Sequence, residues 1–256
     1  MPILKHVRVQ LMLHILLMLL VSGGNAYAQS FNQVNNCPNS DLSFGNFTNW
    51  VGTFGTCCPI VLNNPVDANF VGSHANSHTI MSPSNDPIVN ALPRVPAGYG
   101  FSARLGSQTV SYQGGQVSNA PPSFADGLSY TYTVSQATAL FEYNFAVVLE
   151  DPGHPISEQP RFELEVLDQN NNPIPCTFYE VAAGNNIPGF QTQMTCVSFN
   201  WWNGQCSNNG WRTYRWRDWT KVGIDLLPYL GQNVTINARA GDCHLKGHFG
   251  YGYLVA

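Results

Sequence analysis

The chain has 256 residues, a formal charge of −4 at neutral pH and 10% charged residues against 12% aromatics. So mild and sparse a charge leaves no electrostatic footprint for nucleic acid or for an anionic membrane surface. The length supports one large or two small domains, and abundant Gly, Pro, Asn, Thr and aromatic residues fit an exported all-β protein.

At the N-terminus, Lys5, His6 and Arg8 precede an apolar run from Leu11 to Val21 that only His14 interrupts. Ser22-Gly23-Gly24 and the small-x-small signal Ala26-Tyr27-Ala28 follow. This pattern predicts a secretory signal peptide over 1–28, cleaved after Ala28. About eleven apolar residues fall short of the roughly 20 that span a bilayer, so no membrane span is expected after cleavage. The expected location is extracellular or at the cell surface. Residues 29–40 are polar and read as a loose lead-in, and 41–256 as one domain.

The segment 41–52 is strand-like, anchored by Phe44, Phe47 and Trp50. Residues 53–98 are rich in Gly, Pro, Asn and Ser and read as a long surface connection, with 78–81 their one strand. A strand is expected at 99–106, then a Gly-Pro-Ser loop to Phe124. From 128 the period of two hardens: Leu128, Tyr130, Tyr132 and Val134 share one face, then Phe141, Tyr143, Phe145, Val147 and Leu149. The strand at 140–150 is apolar on both faces and therefore central. Phe162, Leu164 and Val166 alternate with Arg161, Glu163 and Glu165 at 161–168, and a turn leads into 173–181. The segment 184–218 is loop-rich and holds Trp201, Trp202, Trp211 and Trp216.

Past Trp219, Val222, Ile224 and Leu226 form one alternating run, and Val234, Ile236 and Ala238 a second. Pro228 and Gly231 turn the chain between them, so the pair reads as one unit laid on a second sheet. Residues 247–256 close the chain as a third run. About ten strands without a linker predict a single all-β, jelly-roll type β-sandwich.

Seven cysteines, Cys37, Cys57, Cys58, Cys176, Cys196, Cys206 and Cys243, follow the leader. In an oxidising compartment most should pair. Cys196 and Cys206 are the easiest local loop, whereas adjacent Cys57 and Cys58 are expected to reach two different partners. The odd count leaves one thiol free or joined to another chain. No C-x-x-C pairs suggest a structural zinc.

The segments DLSFGNFTNW, HTIM, YGFSARLG, LSYTYTV, ALFEYNFAVVLEDPGHPISEQPRFELEVLD, DWTKVGIDLLPYLGQNVTI and GDCHLKGHFGYGY occur in that order. Together they resemble an N-terminal module of large secreted surface proteins of gliding and related bacteria, which often carry PKD-type repeats and a C-terminal sorting domain. The resemblance covers residues 37–254 and is most specific along EDPGH…EQPRF and GDC…GHFGY. More loosely, the Phe-x-x-Trp end of the first strand and the W-x-x-V-x-I-D-L-x-x-Y-x-G-Q corner are similar to galactose-binding-like jelly rolls and carbohydrate-binding modules. Two features depart from the surface-protein pattern: the sequence stops at Ala256, after its last strand, and a Trp/Asn/Gly-rich loop near 200–210 is bracketed by cysteines. Galactose-binding-like sandwiches often hold a structural calcium between an early strand and the approach to the last one. By that resemblance Asp41 and Asp242 are its expected ligands here.

Candidate chemistry clusters where a strand leaves the sheet. Glu150, Asp151 and His154, with Glu158 following, offer a cation site or an acid and a base. The plainer reading is a Pro-Gly turn whose carboxylates cap amides and pair with Arg161. His78, His154 and His248 could form a transition-metal site if their loops converge, or pack as neutral rings. Trp50 and Trp219 lie on strand patterns and read as core. Trp201 and Trp202, between cysteines and flanked by Asn and Gly, are the candidates for stacking on sugar, since adjacent residues of an extended chain point to opposite faces. There is no G-x-S-x-G, H-E-x-x-H, Walker or EF-hand motif. The expected function is therefore a secreted, non-catalytic binding or adhesion module, glycan-directed, with a glycan or a cell-surface protein as partner. A structural packing module and a hydrolase using Glu150, Asp151 or Glu158 are the alternatives.

Overall fold

A computed structural model describes residues 37–66, 77–108, 124–184, 187–200, 202, 204–207, 210–245 and 247–256. The leader read over 1–28, most of the lead-in, and Trp201 lie outside the described residues. Residues 35–256 form one compact unit.

The strands are β1 (Trp50–Thr56), β2 (Val61–Pro65), β3 (His78–Met81), β4 (Ser102–Leu105), β5 (Phe124–Thr133), β6 (Leu140–Glu150) and β7 (Arg161–Leu167). There follow β8 (Tyr179–Ala182), β9 (Gln191–Cys196), β10 (Phe199–Asn200), β11 (Gln205–Cys206), β12 (Trp211–Asp225), β13 (Asn233–Gly241) and β14 (Gly250–Val255). Two six-stranded sheets result, ordered β2-β1-β5-β13-β7-β8 and β3-β4-β14-β6-β12-β9, with β10 and β11 as a separate hairpin. Every pairing is antiparallel. The long strands alternate between the sheets, β5, β7 and β13 in the first and β6, β12 and β14 in the second. The protein is an all-β sandwich of jelly-roll type.

Period-two alternation fills the space between the sheets. Leu128, Tyr130 and Tyr132 of β5, Phe162, Leu164 and Val166 of β7, and Val234, Ile236 and Ala238 of β13 face Phe141, Tyr143, Phe145, Val147 and Leu149 of β6. The unit at Trp219–Ala238 does not form one layer as its sequence suggests. Its corner, a 3-10 turn at Leu227–Tyr229 followed by Gly231 at φ +80°, hands the chain from one sheet to the other. Val222 and Ile224 thus join the same core from the opposite side to Val234 and Ile236, burying both apolar faces without a third element.

The connection after β3 is also more ordered than its composition implies. Val89, Leu92 and Val95 lie on the outer face of the second sheet, against Ala146, Val148, Tyr214, Trp216, Tyr251 and Tyr253. Asp86, fully buried, fastens this cover. Its Oδ2 accepts the hydroxyls of Tyr251 (2.8 Å) and Tyr253 (2.6 Å), and its Oδ1 the amides of Ile88 (2.8 Å) and Val89 (2.6 Å). β6 is therefore central and apolar on both faces.

Two disulfides form, Cys196–Cys206 and Cys57–Cys58, and Cys37, Cys176 and Cys243 belong to neither. The first is the local loop expected from sequence. The second corrects the expectation of two separate partners: the peptide between Cys57 and Cys58 is cis, and with Cα atoms 3.1 Å apart the two sulfurs reach each other.

Candidate functional site

One rim of the sandwich gathers most of the residues singled out in the sequence. There β6 ends, β7 begins, and β13 turns into β14. Gly153, at φ +75°, makes the Pro-Gly turn after β6, and Asp151 organises it. Its Oδ1 accepts the Gly153 amide (3.0 Å) and Gln159 Nε2 (3.1 Å), and its Oδ2 accepts Arg215 Nε at 2.8 Å. The partner is Arg215 rather than Arg161, which pairs with Glu180 at 3.2 Å. Glu150 is buried and meets Arg212 Nε at 3.1 Å. Burial outweighs that cation and pushes its carboxyl up to about 7. Glu158 sits in a 3-10 turn, Ile156–Glu158, and its carbonyl accepts the His244 amide at 2.9 Å, tying the two loops together.

His154 follows in the first loop, and Cys243 and His248 come from the second. His154 Nδ1 lies 3.2 Å from Cys243 Sγ, and the His154 and His248 rings meet edge to face with centroids 5.2 Å apart. One nitrogen from each imidazole and the sulfur all lie within 4.8 Å of one another. The loop closes on itself through the Cys243 amide donating to the His248 carbonyl (2.9 Å), while the Leu245 amide points at Cys243 Sγ (3.3 Å). Burial, aided by the neighbouring His154 and Arg212, lowers the His248 imidazole to about 4. His78 is not a member of this group; its Nε2 lies 2.8 Å from the Gly127 carbonyl. Cys243 takes the third place. Sequence reasoning missed it because the residue was counted among candidates for disulfides; the C-x4-H spacing after Gly241-Asp242 was the available signal.

Asp242 is buried beside this group. Its Oδ1 accepts the Gly250 amide at 3.2 Å, and its Oδ2 has no hydrogen-bond partner. Burial raises its carboxyl well above the ordinary range. The Cys58 sulfur lies 3.5 Å from the Asp242 carbonyl and 3.7 Å from that of Gln159, so the vicinal disulfide floors the same rim. Asp41 is elsewhere. Its Oδ1 accepts the Ser43 amide (3.0 Å), and neighbouring Ser40 accepts the amide of Ala256, just past β14, whereas Asp242 contacts Gly250 at the start of that strand. Six extended residues separate the two ends, about 20 Å at ~3.3 Å per residue. Asp41 and Asp242 therefore do not share a cation site.

The tryptophans divide by environment. Trp50 is buried, with Nε1 donating to Asn39 O at 2.9 Å, Trp216 is buried in the outer cluster, and Trp219 packs against that cluster with Nε1 donating to Pro93 O at 2.7 Å. Trp202 is 97% exposed. It stands on the β10–β11 hairpin, where Phe199 pairs with Cys206 and Asn200 with Gln205, Gly204 turns the chain at φ +65°, and Cys196–Cys206 closes the base. Trp211, 51% exposed, pairs with Cys196 at that base. A groove of ≈ 290 Å³ lies on the outer face of the first sheet, lined among others by Thr53, Ser129, Thr235, Asn237 and Arg239. Arg239 is held there by Glu163 and Glu165, each at 2.9 Å.

No family model matches the chain, and no curated protein matches it. Among solved structures it is similar to the carbohydrate-binding module TmCBM61 in complex with β-1,4-galactotriose, at 11% identity and a TM-score of 0.38, over 86% of this chain and 97% of that one. It is also similar to the enzymatically active domain of bacteriophage CBA120 tailspike protein 4 (12%, TM-score 0.35, 87% of this chain and 21% of that one). A third likeness is to carbohydrate-binding modules from the β-sandwich superfamily described as promiscuous in specificity (8%, TM-score 0.30, 84% and 58%).

Proposed function

We propose that the protein is an exported, non-catalytic glycan-binding module, with Trp202 as the platform on which a sugar ring stacks. The observation that carries this reading is an indole 97% exposed on a hairpin whose base is closed by a disulfide. An exposed Trp side chain forgoes the burial of some 150–250 Å² that such residues ordinarily contribute, and a sugar C–H face supplies an apolar surface of matching size. The closed hairpin limits the entropy lost when the ring is covered. Export is supported by the leader pattern over 1–28 and by disulfides, which persist in oxidising compartments. The EDPGH…EQPRF and GDC…GHFGY segments support a finer assignment, to the N-terminal modules of large secreted surface proteins, with adhesion as the proposed role. The hydrolase alternative is disfavoured because Asp151 is committed to Arg215, Gln159 and the Gly153 amide, and Glu150 is buried against Arg212.

The test is a polysaccharide panel read by affinity electrophoresis, with wild type, Trp202→Ala and Asn237→Ala. Wild type should be retarded by at least one glycan. Trp202→Ala should lose about tenfold in affinity, an indole stack being worth about 1 kcal/mol or more. Its melting temperature should stay within about 1 °C, as expected for so exposed a side chain. Loss confined to Asn237→Ala would move the site to the groove on the first sheet. No binding across the panel would favour a packing module, and release of reducing ends a hydrolase.

A further inference from the structure

We propose that His154, Cys243 and His248 form a binding site for a late first-row transition ion, zinc or copper. The donor set decides the class of ion. One thiolate and two imidazoles suit zinc and copper, and none of the three is an oxygen ligand of the kind calcium or magnesium requires. The geometry agrees. A tetrahedral ion with metal–sulfur near 2.3 Å and metal–nitrogen near 2.05 Å holds sulfur and nitrogen about 3.5 Å apart. Here His154 Nδ1 and Cys243 Sγ stand at 3.2 Å, and all three donor atoms fit within 4.8 Å.

The surroundings have features that a metal–thiolate site uses. The Leu245 amide directed at Cys243 Sγ would stabilise the sulfur as an anion. The Cys243 amide and His248 carbonyl fix the spacing of the two ligands in their loop, and the Glu158 carbonyl on the His244 amide locks that loop to the one bearing His154. His248 Nδ1 is buried without a hydrogen-bond partner, a rare state for an imidazole nitrogen and one that leaves polar capacity unused at this spot. Cys243 is fully buried, so an exposed attacking thiol is the wrong description, while both histidines are partly exposed. The ion would enter from their side. Three protein donors leave a fourth position for water or an exogenous ligand. On binding, the Cys243 thiol gives its proton to solvent and the sulfur lone pair forms the metal bond.

The experiment uses the full chain with its disulfides intact, stripped of metal by chelator, with Cys243 confirmed as a free thiol by mass spectrometry. Zn2+, Cu2+, Co2+ and Ca2+ are added separately. Co2+ should produce a thiolate-to-metal absorption band in the near ultraviolet at one equivalent, and excess Zn2+ should abolish it by displacement. Zn2+ or Cu2+ should raise the melting temperature, and Ca2+ should leave it unchanged through this site. His154→Ala, on a partly exposed loop, should fold normally and lose the band. Cys243→Ser should lose the sulfur band even where some affinity remains, and serves as the check if His248→Ala fails to fold. Absence of a charge-transfer band with Co2+ and Cu2+, together with no thermal shift from Zn2+, would overturn the proposal. So would a band that survives in both His154→Ala and Cys243→Ser.

Discussion

Asp86 is held by five donors: two tyrosine hydroxyls of β14, the side-chain amide of Gln108, and two backbone amides of the loop that covers it. Burial, and then the charge of Asp86, push the Tyr251 and Tyr253 hydroxyls upward, so both remain donors at any working pH. Asp86→Ala would strand these groups in a dry site and should cost on the order of 3 kcal/mol by urea denaturation. The rim acids and His248 make a prediction of opposite signs. Glu150, raised to about 7, favours the folded state below its unfolded value near 4.5 and loses that contribution as pH rises through 7. Asp242, raised well above 3.8, acts in the same direction. His248, lowered to about 4, contributes stability above 6.5 and loses it as pH falls through 4. In the metal-free protein these slopes oppose one another between pH 4.5 and 6.5. Glu150→Gln removes one of the acid terms, so stability should climb more steeply with pH across that window, by up to about 1.4 kcal/mol per pH unit. An unchanged slope would show that Glu150 titrates as it does in the unfolded chain.

At the scale of elements, β14 is tightly enclosed, all six of its residues being buried. A Cβ on Gly252 would collide with the Phe162 ring of the opposite sheet, so Gly252→Ala should destabilise the sandwich by about 1–3 kcal/mol, read as a lowered melting temperature. For the hairpin, Cys196→Ser removes a bridge between residues 10 apart in sequence, and about 2–3 kcal/mol of stability should go with it by the loop-entropy estimate. Where residues alternate cleanly, the elements were legible: β6 runs where the period of two put it, over Leu140–Glu150, and β3 lies where the one strand of its Gly- and Pro-rich stretch was read, over His78–Met81. β9 was missed because its residues, Gln191 to Cys196, form a largely exposed edge with no apolar stripe. The first half of β12 was missed for a related reason. Arg215 and Arg217 alternate there with Tyr214 and Trp216, whose apolar face is covered by a loop over a hundred residues earlier rather than by the central core.

Across the whole molecule, the candidate site was legible in its parts but not in its assembly. Glu150, Asp151 and His154 were marked by their density in one turn, and His248 by its type. Only the registers of β13 with β7 and of β14 with β6 could show Cys243 standing with the two histidines, because the contact with His154 joins residues 89 apart in sequence. The same geometry placed Asp41 at the far end of β14, which no local pattern foretold. Strand β14 sets one more condition, on the order of events. Among the described residues it lies between β4 and β6, and β4 has no other neighbour but β3. The β3–β4 pair, made early, therefore has no sheet to join until residues 250–255 have been synthesised, and both core clusters stay open until then. A closing contact between residues so far apart in sequence makes folding slow.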